Sequence, residues 1–177
     1  GYGENSPNWA WVKQSLAPQA RVCAYDRAGE GWSERGGTGT LSGKEQVAQL
    51  KELLASAKIP GPYVLAGHSI GGTYGLLFAA QYPEQTAGVV LLDSSTPEQF
   101  KLSWYPGFYN MFRRANALFP SLARLGVARV TLGTGAASLP AGDRKAQQDF
   151  VSTARELRSE RDEFARLPET FEDAKQL

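Results

Sequence analysis

The residues that decide the fold are Gly67-His68-Ser69-Ile70-Gly71. They follow an apolar run, 63–66, and precede a stretch of small and apolar residues, 72–80, that is typical of a helix. The order is therefore strand, sharp turn, helix. Glycine two residues before and after Ser69 removes a Cβ clash where strand and helix approach each other. Free N–H groups at the helix start favour negative charge on an attacked carbonyl oxygen, so this turn suits a nucleophilic serine.

Working outward, apolar runs alternate with helical patterns. The runs at 21–25, 63–67 and 88–93 are continuous rather than alternating, which is typical of parallel strands covered by helices on both faces. Helices are predicted from Ser6 as N-cap, with Trp9, Val12 and Leu16 on one face, and from a Ser42/Glu45 capping box, with Val47, Leu50, Leu53 and Leu54 on the buried side. This order predicts an α/β fold with a doubly wound sheet.

Several of these stretches resemble the α/β-hydrolase superfamily, in its serine hydrolase or esterase-like branch. The pentapeptide resembles the G-x-S-x-G nucleophile elbow, and 21–33 resembles strand four with its following D-x-x-G-x-G-x-S turn. Residues 88–93 resemble strand six, and Gly1-Tyr2-Gly3 resembles the tail of the oxyanion loop after strand three. The resemblance implies part of a mostly parallel α/β-hydrolase sheet with a helical cap. Residues 1–97 would form the partial core, and 98–177 the cap or lid.

Beyond Pro97 the strand patterns give way to helical ones. Aromatic residues crowd between Phe100 and Phe119, where they either line a substrate pocket or form the core of the cap itself. A long charged helix is predicted over 142–166, with Phe150, Ala154, Leu157 and Phe164 on one stripe and its charges on a solvated face.

The candidate site residues come from the turn and from the resemblance. Ser69 is the predicted nucleophile. Asp93 ends the strand after the nucleophile's helix, where it is either the catalytic acid or a residue that begins the next loop. The resemblance implies that the backbone N–H groups of Ile70 and Tyr2 form the oxyanion hole. In this fold the catalytic residues follow each other along the chain as serine, acid and histidine. The chain has no histidine after His68, and the position of His68 next to the serine does not suit a base.

The missing histidine leads to the expectation that the chain is a central piece of a larger hydrolase, without strands one to three, seven and eight. As given, it is expected to be inactive and loosely packed. In the larger protein, Ser69 would cleave a carboxylic ester or a related small acyl substrate through an acyl-enzyme. An alternative is a non-catalytic protein that binds a small ligand on the same fold. A Gly-His pair two strands beyond Leu177 would distinguish the two.

Composition limits the partners. The 19 basic and 18 acidic residues of the 177 nearly balance, so neither nucleic acid nor an anionic membrane surface is indicated as a partner. No apolar run is long enough to span a membrane. Cys23 is the single cysteine, and its apolar run predicts a buried hydrophobe, so neither a disulfide within the chain nor a cysteine metal site is expected. The proposed chemistry requires no cofactor and no metal.

Overall fold

The sheet contains two parallel strands in the part of the chain that the computed structural model describes, residues 1–36, 41–128 and 138–177. Strand β1 spans Tyr63–His68 and β2 spans Thr86–Leu92, with a register that ends on the pair His68 and Leu92. Helix α3, Ile70–Gln81, connects them, as a parallel pair requires. The strand, turn and helix predicted from the pentapeptide are therefore present, and the α/β class is confirmed.

Helices make up most of the remaining structure. A short 3-10 turn, Ser6–Trp9, leads into the first helix, and two others, Pro83–Gln85 and Pro97–Lys101, flank β2. None of the helices in the described ranges has the length and apolar character needed to cross a bilayer. The α-helices, numbered along the chain, are α1 (Ala10–Leu16), α2 (Gly43–Ser56), α3, α4 (Tyr105–Asn116), α5 (Phe119–Arg124), α6 (Ala141–Val151), α7 (Ala154–Ala165) and α8 (Leu167–Ala174).

The chain divides into two compact units, of which the first contains the sheet. This unit comprises residues 1–2, 39–111 and 162–177. Helix α3 packs on both strands, and α2 and α8 pack against α3. The core is apolar, because each element turns its apolar side toward α3. Its most deeply buried side chains are Val47, Ile70, Leu77, Phe78 and Phe171.

The second unit comprises residues 3–38 and 112–161. Its core includes Phe150 and Leu157, both buried, and the ring of Trp32 meets Phe150 edge-on at 4.7 Å. Helix α6 packs against the 3-10 turn. Carboxylates bind the backbone of its loops: Asp26 accepts hydrogen bonds from the N–H groups of Ser6 (2.5 Å) and Trp32 (3.0 Å).

The predicted strand at 21–25 is wrong, and so is the burial predicted for Cys23. Residues 21–27 have no regular secondary structure, and the Cys23 thiol is exposed. The reason is that an apolar run becomes a strand only when a neighbouring strand accepts its hydrogen bonds, and the described sheet pairs only β1 with β2. A segment that is not part of a sheet buries at most every second side chain. Here Arg21, Cys23 and Tyr25 are all exposed.

The first two helices depart from prediction in their details. Asn5, not Ser6, is the cap at the start of the first turn, and Val12 and Leu16 are exposed. Ala10 is the buried residue of α1, because a helix of seven residues offers only a narrow contact. The Ser42 capping box of α2 is confirmed, and Val47 is buried, whereas Leu53 is exposed.

The single helix predicted over 142–166 is two helices. Thr153 begins the second one, because its hydroxyl accepts a hydrogen bond from the Glu156 N–H at 3.1 Å, and this T-x-x-E pattern is a cap signal readable in the sequence. Phe150, Leu157 and Phe164 are buried as predicted.

Three carboxylates of α7, however, are not on a solvated face. Glu156, Glu160 and Glu163 are all buried. The Gly31 N–H donates to Glu156 Oε2 at 2.9 Å, so this carboxylate has a buried backbone partner that a charge pattern cannot reveal. Burial raises the pKa of Glu156 above its ordinary value.

Candidate active site

The turn after β1 holds Ser69 in a strained backbone conformation. Its φ is 52° and its ψ is −127°, a backbone conformation that residues other than glycine rarely adopt. Gly67 makes the turn possible, since a Cβ at that position would lie 2.3 Å from the backbone carbonyl carbon of Gly71. Gly71 itself is not confined in this way, because its added Cβ would meet nothing closer than 3.8 Å. The close backbone approach therefore requires glycine at position 67 but not at position 71.

The Ser69 side chain does not cap the helix that it precedes. Its hydroxyl oxygen lies 3.3 Å from the Ser95 hydroxyl oxygen, and either group can donate. The backbone of Ser69 is tied to the end of β2, because its N–H donates to the Leu92 carbonyl (3.2 Å) and its carbonyl accepts from the Ser95 N–H (3.0 Å). A serine that precedes a helix without capping it keeps its hydroxyl for other contacts.

Ser95 belongs to the candidate site, and no sequence pattern predicted it. Besides its two contacts with Ser69, its carbonyl accepts a hydrogen bond from the Thr73 hydroxyl at 2.7 Å, in the first turn of α3. It thus links the turn, the helix and the segment after β2. The only signal in the sequence is that hydroxyl residues follow the end of a strand, which is too common to single out one of them.

Asp93 follows β2 just as Ser69 follows β1. The last pair in the register is His68 with Leu92, so the two residues that come next leave the same edge of the sheet. Asp93 is exposed and also has a positive φ, 43°. The structure places Ser69 and Asp93 on neighbouring strand ends, and the hydroxyl contact of Ser69 is with Ser95.

The two residues expected to form the oxyanion hole lie on different segments. Ile70 is buried and is the first residue of α3, where backbone N–H groups have no acceptor within the helix. Gly1 reaches the same turn, since its nitrogen lies 3.8 Å from the Cβ position of Gly71. Tyr2 follows directly, and its ring contacts the Phe164 ring edge-on at 5.2 Å.

His68 is the last residue of β1 and is half-buried. Alternation along the strand puts it on the same face as Val64 and Ala66. Leu65 lies on the opposite face, toward α3, with its Cβ 3.8 Å from the Cβ position of Gly75. His68 therefore lies on the sheet face away from α3.

A buried polar contact joins α3 to α7, and aromatic contacts join α7 to α4. The Tyr74 hydroxyl donates to Glu163 Oε1 at 2.8 Å, and both side chains are buried. The Tyr109 ring stacks on Phe164 with a centroid distance of 5.0 Å, and its hydroxyl donates to the Phe164 carbonyl at 3.3 Å. Burial raises the pKa of Tyr105 in the same aromatic group. Such contacts suit a rigid support for the turn.

In the described ranges no three His, Cys, Asp or Glu side chains are grouped so that they could hold a metal ion. The groups that the described residues bring to the turn are serine hydroxyls, one carboxylate and the backbone N–H groups at the start of α3.

Comparison with known proteins identifies the family. The family described as alpha/beta hydrolase fold matches residues 1–168, nearly the whole chain. The chain therefore belongs to the α/β-hydrolase family, as the pentapeptide and its neighbours predicted.

Individual relatives are similar to about half of the chain. The chain is 41% identical over 90 residues to an uncharacterised protein of Schizosaccharomyces pombe, a match to 51% of this chain and 17% of the relative. It is 32% identical over 97 residues to a pimeloyl-[acyl-carrier protein] methyl ester esterase of Nitrosomonas europaea, covering 55% of this chain and 35% of the esterase.

A solved structure from a study of carboxylesterases of Nitrososphaera gargenis superposes with a TM-score of 0.68 at 18% identity. The match covers 99% of this chain and 65% of that one, and at this identity it shows a shared fold. The chain spans less than two thirds of the length of each of these three relatives.

Proposed function

We propose that the protein is a serine hydrolase that cleaves a carboxylic ester or a related small acyl substrate. The observation that carries the proposal is the strained turn at Ser69, a non-glycine residue with φ 52° whose hydroxyl does not cap its helix. Strain of this kind persists only where the surrounding structure enforces it, and it clusters at active sites. The esterase name of one relative is consistent with the same chemistry.

In the proposed reaction, Ser69 Oγ attacks the acyl carbonyl carbon and loses its proton to a base. The tetrahedral intermediate then expels the alcohol, which takes up a proton, and leaves an acyl-enzyme. Water attacks the acyl-enzyme in the second half of the reaction and releases the acid and free Ser69. No redox step and no cofactor is needed.

The negative charge on the substrate oxygen would be stabilised by the N–H groups of Ile70 and Tyr2. Ile70 begins α3, and the position of Gly1 beside Gly71 brings the segment of Tyr2 to the same turn. Each such donor contributes about 3 kcal/mol to lowering the barrier. The edge-on contact of Tyr2 with Phe164 would hold this donor in place.

Two further roles complete the proposal. Asp93, at the strand end beside the turn, would orient and charge-stabilise a histidine base, which the proposed mechanism requires and which is not His68. His68 is the one histidine of this chain, and its place on the sheet face away from α3 does not suit the proton transfer. Ser95, 3.3 Å from the Ser69 hydroxyl, would position the nucleophile without reacting itself.

The test is covalent labelling of the native full-length protein with a fluorophosphonate probe. We expect one labelled serine, and we expect Ser69→Ala to abolish both the labelling and the hydrolysis of p-nitrophenyl butyrate while the thermal unfolding temperature stays close to that of the wild type. Both results follow because, among the residues that the structure describes, Ser69 is the one hydroxyl residue with a positive φ, and its side chain does not cap the following helix.

Ser42→Ala is the matched control, since Ser42 also precedes a helix but caps it. It should leave labelling intact. Labelling that survives Ser69→Ala would refute the assignment. A wild-type protein that binds small esters without being labelled would instead favour the non-catalytic binding protein.

A further inference from the structure

The segment that follows β2 is attached to the turn by side chains as well as by the backbone. The Ser94 hydroxyl donates to the Gly67 carbonyl at 3.2 Å, and it occupies the space beside Gly72, where an added Cβ would overlap the Ser94 hydroxyl oxygen. Ser94 thereby contacts both the end of β1 and the start of α3. The next residue, Ser95, carries the hydroxyl that contacts Ser69, so its position depends on how the same segment is held from the side of the helix.

Thr73 provides the attachment on the helix side. It is the fourth residue of α3, and only 1% of its surface is exposed. A threonine inside a helix commonly donates to the carbonyl four residues before it, which here is that of Ser69. That carbonyl already accepts the N–H groups of Gly72 (3.1 Å) and Ser95 (3.0 Å). The Thr73 hydroxyl donates instead to the Ser95 carbonyl at 2.7 Å, so it holds a segment distant in the chain and not its own helix.

The hydroxyl contact between Ser95 and Ser69 is sensitive to the position of Ser95. Its oxygen–oxygen distance is 3.3 Å, whereas a hydrogen bond between hydroxyl groups is usually about 2.7–2.8 Å long. A further displacement of roughly 0.3 Å would end the contact, because a separation of about 3.6 Å is no longer a hydrogen bond. The bond from the Thr73 hydroxyl to the Ser95 carbonyl is short, at 2.7 Å, and it resists this displacement.

We propose that Thr73 is a positioning residue of the hydrolase site and that it acts on Ser69 through Ser95. Its hydroxyl holds the Ser95 carbonyl, and Ser95 places its own hydroxyl against Ser69 Oγ, so the orientation from which the nucleophile attacks depends on Thr73. The inference rests on the proposed role of Ser69. It goes beyond that role because it assigns an effect on the reaction rate to a buried hydroxyl that does not itself react.

The test compares hydrolysis of p-nitrophenyl butyrate and the rate of fluorophosphonate labelling in variants of the native full-length protein. Thr73→Val keeps the shape of the side chain and removes the hydroxyl. We expect it to lower kcat/KM and the labelling rate about threefold to fivefold, within the range for loss of one neutral hydrogen bond. Thr73→Ser keeps the hydroxyl and should restore most of both rates, although it leaves a methyl-sized gap in the core. A purely structural role would not require this recovery.

Thr86→Val is the matched control. The Thr86 hydroxyl also donates to a backbone carbonyl, that of Tyr82, at 3.0 Å. Thr86, however, begins β2, at the end of the strand pair opposite to Ser69. Its substitution should therefore leave kcat/KM and the labelling rate unchanged. Thermal unfolding verifies that each variant is folded.

A double-mutant cycle separates action through Ser95 from a general effect on the turn. In a protein that already carries Ser95→Ala, Thr73→Val should lower the labelling rate less than about twofold further, because the hydroxyl through which Thr73 acts is absent. A loss as large as in the wild-type background would overturn the route through Ser95. Thr73→Ser that labels as slowly as Thr73→Val would overturn the role of the Thr73 hydroxyl.

The result for Ser69→Ala distinguishes failure of this inference from failure of the proposed function. Labelling that survives Ser69→Ala would refute the nucleophile and, with it, the role of Thr73. Labelling that Ser69→Ala abolishes, but that is as fast in Thr73→Val as in the wild type, would overturn the role of Thr73 alone and leave the proposed function intact.

Discussion

Ser42 and Ser69 each stand directly before a helix, and they use their side chains in opposite ways. Ser42 has an extended backbone, with φ −69° and ψ 167°, and its hydroxyl accepts the Glu45 N–H at 3.3 Å while the Glu45 carboxylate accepts the Ser42 N–H at 2.7 Å. Ser69 has a positive φ, no side-chain cap, and a hydroxyl directed to Ser95. One hydroxyl stabilises its helix, and the other stays available at a strained turn.

This difference shows how a chain distinguishes a structural serine from a candidate nucleophile. A capping box needs an extended serine, because only then does the hydroxyl reach the N–H three residues on. At Ser69 the close approach of Gly67 to the start of α3 imposes a different backbone, so the cap contact is lost. The helix is instead stabilised by burial of Ile70, Leu77 and Phe78.

The largest expected effect concerns Asp93, the proposed acid at the strand end beside Ser69. The carboxylate beside Ser42, that of Glu45, belongs to a capping box instead. Asp93→Asn in the native protein should lower kcat about 10⁴-fold with little change in KM, because the base would lose its correct tautomer. Steady-state kinetics measures this. Turnover within about tenfold of wild type would show that the acid is elsewhere, and Glu98→Gln, an exposed carboxylate nearby in the sequence, serves as the control.

The next largest effect is expected from a substitution that disrupts the turn before Ser69. Gly67→Ala should lower the free energy of unfolding by about 3 kcal/mol, because its Cβ would overlap backbone atoms that cannot move without distorting α3. Gly71→Ala has room for its methyl group and lies in a helix, so its effect should stay within about 1 kcal/mol and favour the folded state. Urea unfolding compares the two, and equal losses would contradict the steric argument.

A smaller effect concerns the contact that replaces the cap at Ser69. Ser95→Ala should lower kcat about threefold to tenfold without changing KM, the range expected when one neutral hydrogen bond to the nucleophile is lost. Ser95→Thr keeps a hydroxyl and should restore most of the rate, which a purely structural role would not require. If the alanine variant is as active as wild type, Ser95 does not position Ser69.

The smallest effects test the cap at Ser42. Ser42→Ala should cost about 1 kcal/mol of unfolding free energy and leave activity unchanged. Hydrogen bonds from Ser42 lower the pKa of Glu45 below its ordinary value of 4.5. The contribution of Glu45 to stability is therefore complete above pH 4.5 and is lost as the pH falls below it.

Glu45→Gln, compared with wild type by thermal unfolding over this pH range, should reduce stability by less than about 0.5 kcal/mol near neutral pH, because the side chain is exposed. The two proteins should converge at low pH. A difference that grows as the pH falls would contradict the lowered pKa.

Much of the first unit could be predicted from sequence because its signals are local. Continuous apolar runs predicted β1 and β2, the Ser42/Glu45 spacing predicted the start of α2, and the glycines around Ser69 predicted the turn. The predictions that were wrong depended on partners distant in the chain. The run at 21–25 was predicted to be a strand, which needs a neighbouring strand that the described sheet does not supply, and the solvated face predicted for α7 overlooked the loop that Glu156 binds through Gly31.

Local sequence patterns were enough to predict the family and the strand, turn and helix around Ser69, because short-range sterics and the spacing of apolar residues act within a few residues of each other. It also determined which serine caps α2. The contact of Ser95 with Ser69, the burial of Glu156 and the exposure of Trp104, Phe108 and Met111 became known only from the folded chain. These outcomes depend on contacts between segments distant in the chain, and no local pattern of residues encodes which surfaces will meet.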